Sequence, residues 1–334
     1  MAMISYAGNM EDVLLARALG SQPGGCYIDI GSGSPLLDSV TRHFHESGWR
    51  GINIEPQSQF HEECLQQRPE DVTLQAVVGK ATGQVTLYEN LSNWGLSTVS
   101  AELAEAYRAS GMEVVERQVE MVTLAQVCEA YVTGPIDFCT IDVEGHERDV
   151  LLGGDWDRWR PRIVVIEATI PMTTSQVDRH WADVLLGARY IDAYFDGLNR
   201  YFVTEEAAQL IPTLAVQPNW FDQAVPYREV VLRRRIEVLE EQVQRFGPHE
   251  REVADYVENL EQQLRRLEEH QHEVAEYVRK LEAALPGNRH AEDGREFDAD
   301  ATRHEIDVLT MRVRVLEKLN LELALRSTRN GMAS

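Results

Sequence analysis

Four cysteines, Cys26, Cys64, Cys128 and Cys139, are all that this chain of 334 residues carries, and none stands in a CxxC pair. Free cytosolic thiols, rather than a disulfide framework, are the expectation. Basic residues are scarce too. Lys and Arg number 32 against 55 Asp and Glu, a net charge of −23. Residues 1–228 hold 15 against 32 (net −17), and residues 229–334 hold 17 against 23 (net −6). Without a basic face, binding to nucleic acid through phosphate contacts is not expected, nor is binding to an anionic membrane. No apolar run reaches the roughly 18 residues of a membrane span, and no basic-then-apolar signal opens the chain. The expectation is a soluble, cytoplasmic protein with no direct membrane insertion.

What is present begins at Gly24-Gly25-Cys26-Tyr27-Ile28-Asp29-Ile30-Gly31-Ser32-Gly33. Tyr27, Ile28 and Ile30 read as a buried strand, and Gly31 and Gly33 let the chain turn tightly beneath a bulky ligand. Leu36 to Glu46 is expected as a helix, with Leu37, Val40 and Phe44 at helical spacing. Strand, glycine turn and helix open a nucleotide-binding βα unit. The third glycine of a dinucleotide fingerprint is missing, with Pro35 and Leu36 in its region. An acidic Asp29 before the first glycine suits S-adenosylmethionine better than a pyrophosphate, because the amino group and sulfonium of that molecule are positive. An ordinary strand-to-helix turn has the same local pattern.

The rest of the first 228 residues alternates strands and helices. Ser5 to Leu19 turns into a helix. Gly51 to Pro56 is a strand ending in Glu55, an acid placed to accept hydrogen bonds from both ribose hydroxyls. Gln57 to Gln67 is a helix, Val72 to Val78 the third strand and Gln84 to Glu89 another. Asn90 to Thr98, with a lone Trp94, is a loop over the ligand side. Glu102 to Ser110 is helical, Glu116 to Val122 a strand, and Thr123 caps a helix to Tyr131. Ile136 to Ile141 is the fourth core strand, and it runs into Asp142-Val143-Glu144-Gly145-His146-Glu147. Ligands in such sheets sit beyond the carboxyl ends of the strands, where this segment lies. Arg162 to Ile166 is the fifth strand, ending in Glu167. Gln176 to Leu186 is a helix, and 189–203 a closing antiparallel hairpin. The fold class is a doubly wound α/β domain followed by an α-helical coiled coil.

The tail carries a heptad frame from Ile236 to Leu285. Its a and d positions are apolar except Glu250 and Gln271, the pattern of a coiled coil. Residues 229–285 are assigned to this coil, 286–302 to a flexible linker after Pro286-Gly287, and 303–326 to a second heptad helix. In that helix Asn320 falls at an a position, where asparagine favours two parallel chains. A lone helix would leave its apolar stripe wet, so a homodimer through the tail is expected, with a fold-back hairpin as the alternative.

Residues 5–225 resemble the FkbM family of S-adenosylmethionine-dependent methyltransferases. The resemblance rests on an ordered set of motifs: Ser5-Tyr6-Ala7-Gly8-Asn9-Met10-Glu11-Asp12, Tyr27-Ile28-Asp29-Ile30-Gly31, Gly48 to Pro56, Val77-Val78-Gly79, Gly95-Leu96-Ser97-Thr98, and Ile136 to Glu147. It implies a class I methyltransferase (Rossmann-like) fold, S-adenosyl-L-methionine as cofactor, and O-methylation of a sugar, glycan or secondary-metabolite hydroxyl. The turn Gly31-Ser32-Gly33-Ser34-Pro35 departs from the class in lacking the third glycine.

Asp29, Gly31, Gly33 and Glu55 are the expected cofactor-binding residues. Methyl transfer needs the acceptor oxygen aligned and its proton removed. Asp142 is the first candidate for that work, followed by Glu144 and His146. With Glu167 these three offer a ligand set for a divalent cation, but their spacing fits no standard metal motif and no metal site is assigned. A nicotinamide-dependent oxidoreductase would share the first βα unit and Glu55, and a catalytically inactive coiled-coil scaffold is the third reading. Glycosyltransferases are the expected partners of the tail.

Overall fold

The computed structural model describes residues 3–20, 24–171, 173, 175–176, 181–246, 257–260, 262–263 and 265–266. The chain opens with β1 (Met3–Ser5) and α1 (Glu11–Leu19). There follow β2 (Cys26–Ile30), α2 (Arg42–Glu46), β3 (Arg50–Ile54), α3 (Ser58–Gln67) and β4 (Val72–Leu74). An excursion of β5 (Val77–Val78), β6 (Gly83–Asn90), α4 (Ala101–Ala109) and β7 (Val114–Val122) builds a separate three-stranded sheet. The chain returns through α5 (Leu124–Tyr131), β8 (Phe138–Ile141), α6 (Glu147–Leu152) and β9 (Ile163–Glu167). It ends the domain with α7 (Ala182–Gly187), β10 (Tyr190–Phe195), β11 (Asn199–Thr204), α8 (Ile211–Leu214) and β12 (Ala224–Pro226).

The main sheet has seven strands in the order β10-β11-β9-β8-β2-β3-β4. Strands β9, β8, β2, β3 and β4 run parallel, and the β10–β11 hairpin is antiparallel at one edge. Strands of this sheet are apolar on both faces, so helices must cover both. Ile28, Ile30, Ile52, Ile54, Cys139 and Ile141 belong to one hydrophobic layer, under α5, α6 and α7. Tyr27, Phe138, Ile163, Val165 and Tyr201 belong to the other, under α1, α2 and α8. Helix α5 starts where expected, because Thr123 and Gln126 form a reciprocal cap.

Three expectations are corrected. The helix expected over Leu36–Glu46 exists only as α2. Residues 34–41 instead wrap the guanidinium of Arg68, which is almost fully buried. It donates to Pro35 O and Ser39 Oγ (both 2.7 Å), Thr41 Oγ1 (2.8 Å) and Asn53 Oδ1 (2.9 Å). Asp38 takes a left-handed backbone to do so (φ 54). A long-range charge has displaced a local helical pattern. The single strand over Val72–Val78 is two: Val72 pairs with Ile52 of β3, whereas Val77 pairs with Met121 of β7. The two sheets diverge at Gln75, whose amide donates to Ser58 Oγ (2.7 Å). Of the helix expected over Gln176–Leu186, Gln176 instead forms a bridge with Thr169 and α7 covers the stretch from Ala182; residues 177–180 lie outside the described residues.

The elements through Pro226 form one compact unit, and a second unit contains α9 (Tyr227–Phe246). Helix α9 holds the first heptad positions, Ile236, Leu239, Val243 and Phe246, and residues 257–260, 262–263 and 265–266 are also helical. The rest of the heptad frame, the linker 286–302 and the second heptad helix with Asn320 lie outside the described residues. No described helix is long and apolar enough to cross a membrane.

Candidate active site

Strand register decides what converges. Ile30 is level with Ile54 of β3 and with Ile141 of β8, and Ile141 with Ile166 of β9. The residues that follow these four positions therefore line up along one edge of the sheet: Gly31 to Gly33, Glu55, Asp142 to Glu144, and Glu167. All of these except Ser32 and Glu167 border one cleft. Gly31, Gly33, Glu55, Asp142, Glu144 and His146 line it, together with apolar residues such as Ile54 and Val78.

Gly31 has no room for a side chain. Its φ is +78°, and a Cβ would stand 1.8 Å from the carbonyl oxygen of Asp142. The glycine thus brings the β2 and β8 ends together as well as turning the chain. At Gly33 a Cβ would meet the Trp94 ring at 2.7 Å. Trp94 leans on Phe60 (centroids 4.7 Å apart), and its carbonyl accepts from Gln57 Nε2 (3.2 Å). The 90–98 loop is shaped by Asn90, whose Oδ1 accepts from the amides of Ser92 and Asn93 (3.0 Å each).

Glu55 is 1% exposed. Its two oxygens accept from Gly33 N (2.7 Å) and Gln57 N (2.8 Å). Each carboxylate oxygen retains a second lone pair. Burial lifts the Glu55 pKa to about 7, against the pull of those two amides. Asp29 is placed differently. It shares the face of Tyr27, by strand alternation, and does not line the cleft. Its oxygens accept from Thr140 Oγ1 (2.8 Å) and Thr41 Oγ1 (2.5 Å). Burial raises its pKa, and Thr41, Arg68 and Thr140 oppose that rise.

The segment after β8 distributes its polar side chains in several directions. Asp142 is exposed at the strand end. Glu144 is held in a left-handed backbone (φ 51), and its carbonyl accepts from Thr98 Oγ1 (2.7 Å), which ties the 90–98 loop to this turn. A bulky residue in that conformation is a strained position of the kind found at ligand sites. Glu147 folds back to accept from Gly145 N (2.9 Å), and burial lifts its pKa to about 7. His146 stands 3.9 Å from Asp149, with Met121 and Gly79 nearby. Burial lowers its pKa, outweighing Asp149.

Asp142, Glu144 and Glu167 each offer a carboxylate oxygen, and these oxygens all lie within 4.8 Å of one another. His146 is not part of that group. Tyr107 of α4 lies within electrostatic reach of Glu144 and Glu167 and has no sequence signal beyond being a tyrosine in an amphipathic helix. It is 6% exposed, and its hydroxyl has no hydrogen-bond partner among the described residues. Burial raises its pKa, with the charges of Glu144 and Glu167 adding to the rise.

The structure therefore brings together Gly31, Gly33, Glu55, Asp142, Glu144 and His146, and places Asp29 in the layer behind. The family model of the methyltransferase FkbM domain matches residues 29–201, from Asp29 to Tyr201. No curated protein matches the chain. Among solved structures, a TehB-like SAM-dependent methyltransferase from Corynebacterium glutamicum is similar at 11% identity and a TM-score of 0.33, over 58% of this chain and 88% of that one. With more than half of its length matched by that family model, the chain belongs to the FkbM family of S-adenosyl-L-methionine-dependent methyltransferases.

Proposed function

We propose that the chain is an O-methyltransferase whose acceptor is a hydroxyl of a sugar, glycan or secondary metabolite. One observation supports it most: Glu55 and the Asp142–Glu144 turn border one cleft, with Gly31 and Gly33 between them. The cleft residues fit S-adenosyl-L-methionine. Backbone at two glycines allows close approach, Glu55 offers lone pairs for ribose hydroxyls, and the Ile54 and Val78 walls suit an adenine. The acidic far end suits a cationic sulfonium. When bound, that cofactor supplies an electrophilic methyl group.

The chain's own residues do the rest. Asp142 orients the acceptor hydroxyl and takes its proton, and Glu144 and His146 are its alternates. His146 is suited to accept a proton because burial favours its neutral form. Membership in a methyltransferase family removes the support for a nicotinamide-dependent reading. We extend the proposal to the tail: its heptads pair two chains and hold the enzyme near glycan-assembly partners such as glycosyltransferases, in the cytoplasm.

Calorimetry with S-adenosylhomocysteine, followed by a methyl-transfer screen against hydroxyl acceptors, tests this reading. Asp142→Asn is expected to lower turnover by about 10²–10⁴-fold, the range of a general base, with cofactor affinity nearly unchanged. Wild-type turnover in that variant removes Asp142 from the chemistry.

A further inference from the structure

We propose that Thr98 is a positioning residue for methyl transfer: its hydroxyl locks the Asp142–Glu144 turn in the shape that presents Asp142 to the acceptor. The assignment rests on the methyl-transfer reading of the cleft. Thr98 is 1% exposed and lines the cleft together with Asp142 and Glu144. Its hydroxyl donates to the Glu144 carbonyl (2.7 Å) and accepts from the Ser100 amide (3.0 Å). A carbonyl only accepts and an amide N–H only donates, so the two partners together fix the direction of the hydroxyl proton. The bond to Glu144 joins residues 46 apart in the chain.

The turn needs such a bond. Glu144 (φ 51) and Gly145 (φ 96) are successive residues in left-handed backbone. Glycine adopts that conformation freely, whereas a glutamate has to be held in it by its surroundings. Ahead of the turn, Asp142 N donates to Ile30 O (3.0 Å), which fixes where β8 ends but not how the chain leaves it. After the turn, the Glu147 carboxylate accepts from Gly145 N (2.9 Å), a hold from within the same segment. Thr98 supplies a hold from a different sheet, at the strained residue itself.

Thr98 can hold the turn because it is itself fixed. Its amide donates to Tyr88 O (3.1 Å) and its carbonyl accepts from Tyr88 N (2.8 Å). Tyr88 lies within β6, which pairs with β7 along its whole length. Ser100, the other partner of the hydroxyl, caps α4 by accepting from Leu103 N (3.3 Å). The cofactor end of the same loop is fastened separately: the Trp94 carbonyl accepts from Ser97 Oγ (2.9 Å) and Gln57 Nε2 (3.2 Å). Loss of the Thr98 hydroxyl therefore frees the acceptor-side turn and leaves the cofactor-side contacts in place. Methyl transfer depends on alignment of the acceptor oxygen with the methyl carbon, so a displaced Asp142 lowers turnover rather than cofactor affinity.

The test compares Thr98→Val, which removes the hydroxyl at nearly constant volume, with Thr98→Ser, which restores it. Hydrogen exchange read by mass spectrometry on the full chain, without ligand, reports the lock. Amides of residues 142–147 should exchange about 3- to 10-fold faster in Thr98→Val, the effect of one hydrogen bond on a local opening, and at the wild-type rate in Thr98→Ser. Calorimetry should give the same S-adenosylhomocysteine affinity in all three proteins. On the hydroxyl acceptor found by the methyl-transfer screen, turnover should fall by up to about 10²-fold in Thr98→Val, the effect of a small misplacement at the reacting atoms, and recover in Thr98→Ser. Folding is checked by circular dichroism, and Thr98→Ala replaces the valine variant if that one does not fold. Wild-type exchange at 142–147 in the folded variant overturns the lock, and wild-type turnover overturns its role. A loss of S-adenosylhomocysteine affinity as large as the loss of turnover also overturns the assignment, because it moves Thr98 to the cofactor side. If the wild type does not bind S-adenosylhomocysteine, the methyl-transfer reading fails, and faster exchange in Thr98→Val then upholds the lock alone. If it binds and the screen yields no acceptor, the exchange comparison decides the lock.

Discussion

Replacing Glu55 by glutamine should make folding stability less dependent on pH and weaken cofactor binding at the same time. The Glu55 carboxyl is buried, with its pKa raised from 4.5 to about 7. Between those values the folded chain holds a proton that the unfolded chain has lost. Its contribution to stability is therefore fully present below pH 4.5 and is lost as pH rises through about 7. At 1.36 kcal/mol per pKa unit the loss is about 3 kcal/mol. Glutamine does not titrate, so Glu55→Gln should flatten the stability difference between pH 5 and pH 8 by about that amount. Asp12, Glu147 and Glu11, with pKa values lifted to about 6, 7 and 8, leave a residual slope of the same sign. Hydrogen bonds to a charged acceptor contribute about 1.5–3 kcal/mol, so the affinity for S-adenosylhomocysteine at pH 8 should fall about 10- to 150-fold. In the wild type that affinity should tighten as pH rises through about 7, whereas in the variant it should stay flat. Urea unfolding at a series of pH values reads the first effect and calorimetry the second. An unchanged slope would show that Glu55 is not the buried titrating group. An unchanged affinity in a folded variant would refute its contact with the ribose.

Three further outcomes follow from the same geometry. Gly31→Ala should destabilise the domain by at least about 1–2 kcal/mol from its left-handed backbone alone, and more from the clash with the Asp142 carbonyl; a urea midpoint equal to wild type contradicts the close approach of β2 and β8. Arg68→Met should cost about 3–5 kcal/mol, because it leaves the buried Asp29 carboxyl without its counter-charge; a loss below about 1 kcal/mol, measured by the same unfolding assay, would mean that Arg68 does not organise residues 34–41. Light scattering should report a dimer for the full chain and a monomer for residues 1–228, with methyl transfer retained by the shorter form. A monomer at both lengths rejects the tail as a dimerisation element, and lost activity on truncation makes the tail part of the catalytic unit.

The sequence by itself determined which strands are buried on both faces, and hence that helices cover both sides of the sheet. Tyr27-Ile28 and Phe138-Cys139 show this, because each neighbouring pair feeds two different apolar layers. It also determined the glycine turn and the acids at strand ends, since these depend on neighbours in the chain. Tertiary structure decided what those acids do. Asp29 and Glu55 look alike in sequence, each near the end of an apolar strand, yet Asp29 faces Thr41 and Thr140 while Glu55 borders the cleft. The difference is one of position on the strand: Asp29 lies within β2, on the face of Tyr27, whereas Glu55 follows the last residue of β3. The loop over 34–41 was illegible for a related reason. Its apolar spacing favours a helix, but burying the Arg68 guanidinium required carbonyl and hydroxyl acceptors that a helix would have kept for itself. The carboxylates of Asp142, Glu144 and Glu167 come together only because strand register aligns the ends of β8 and β9, and no local pattern encodes a contact between such distant segments.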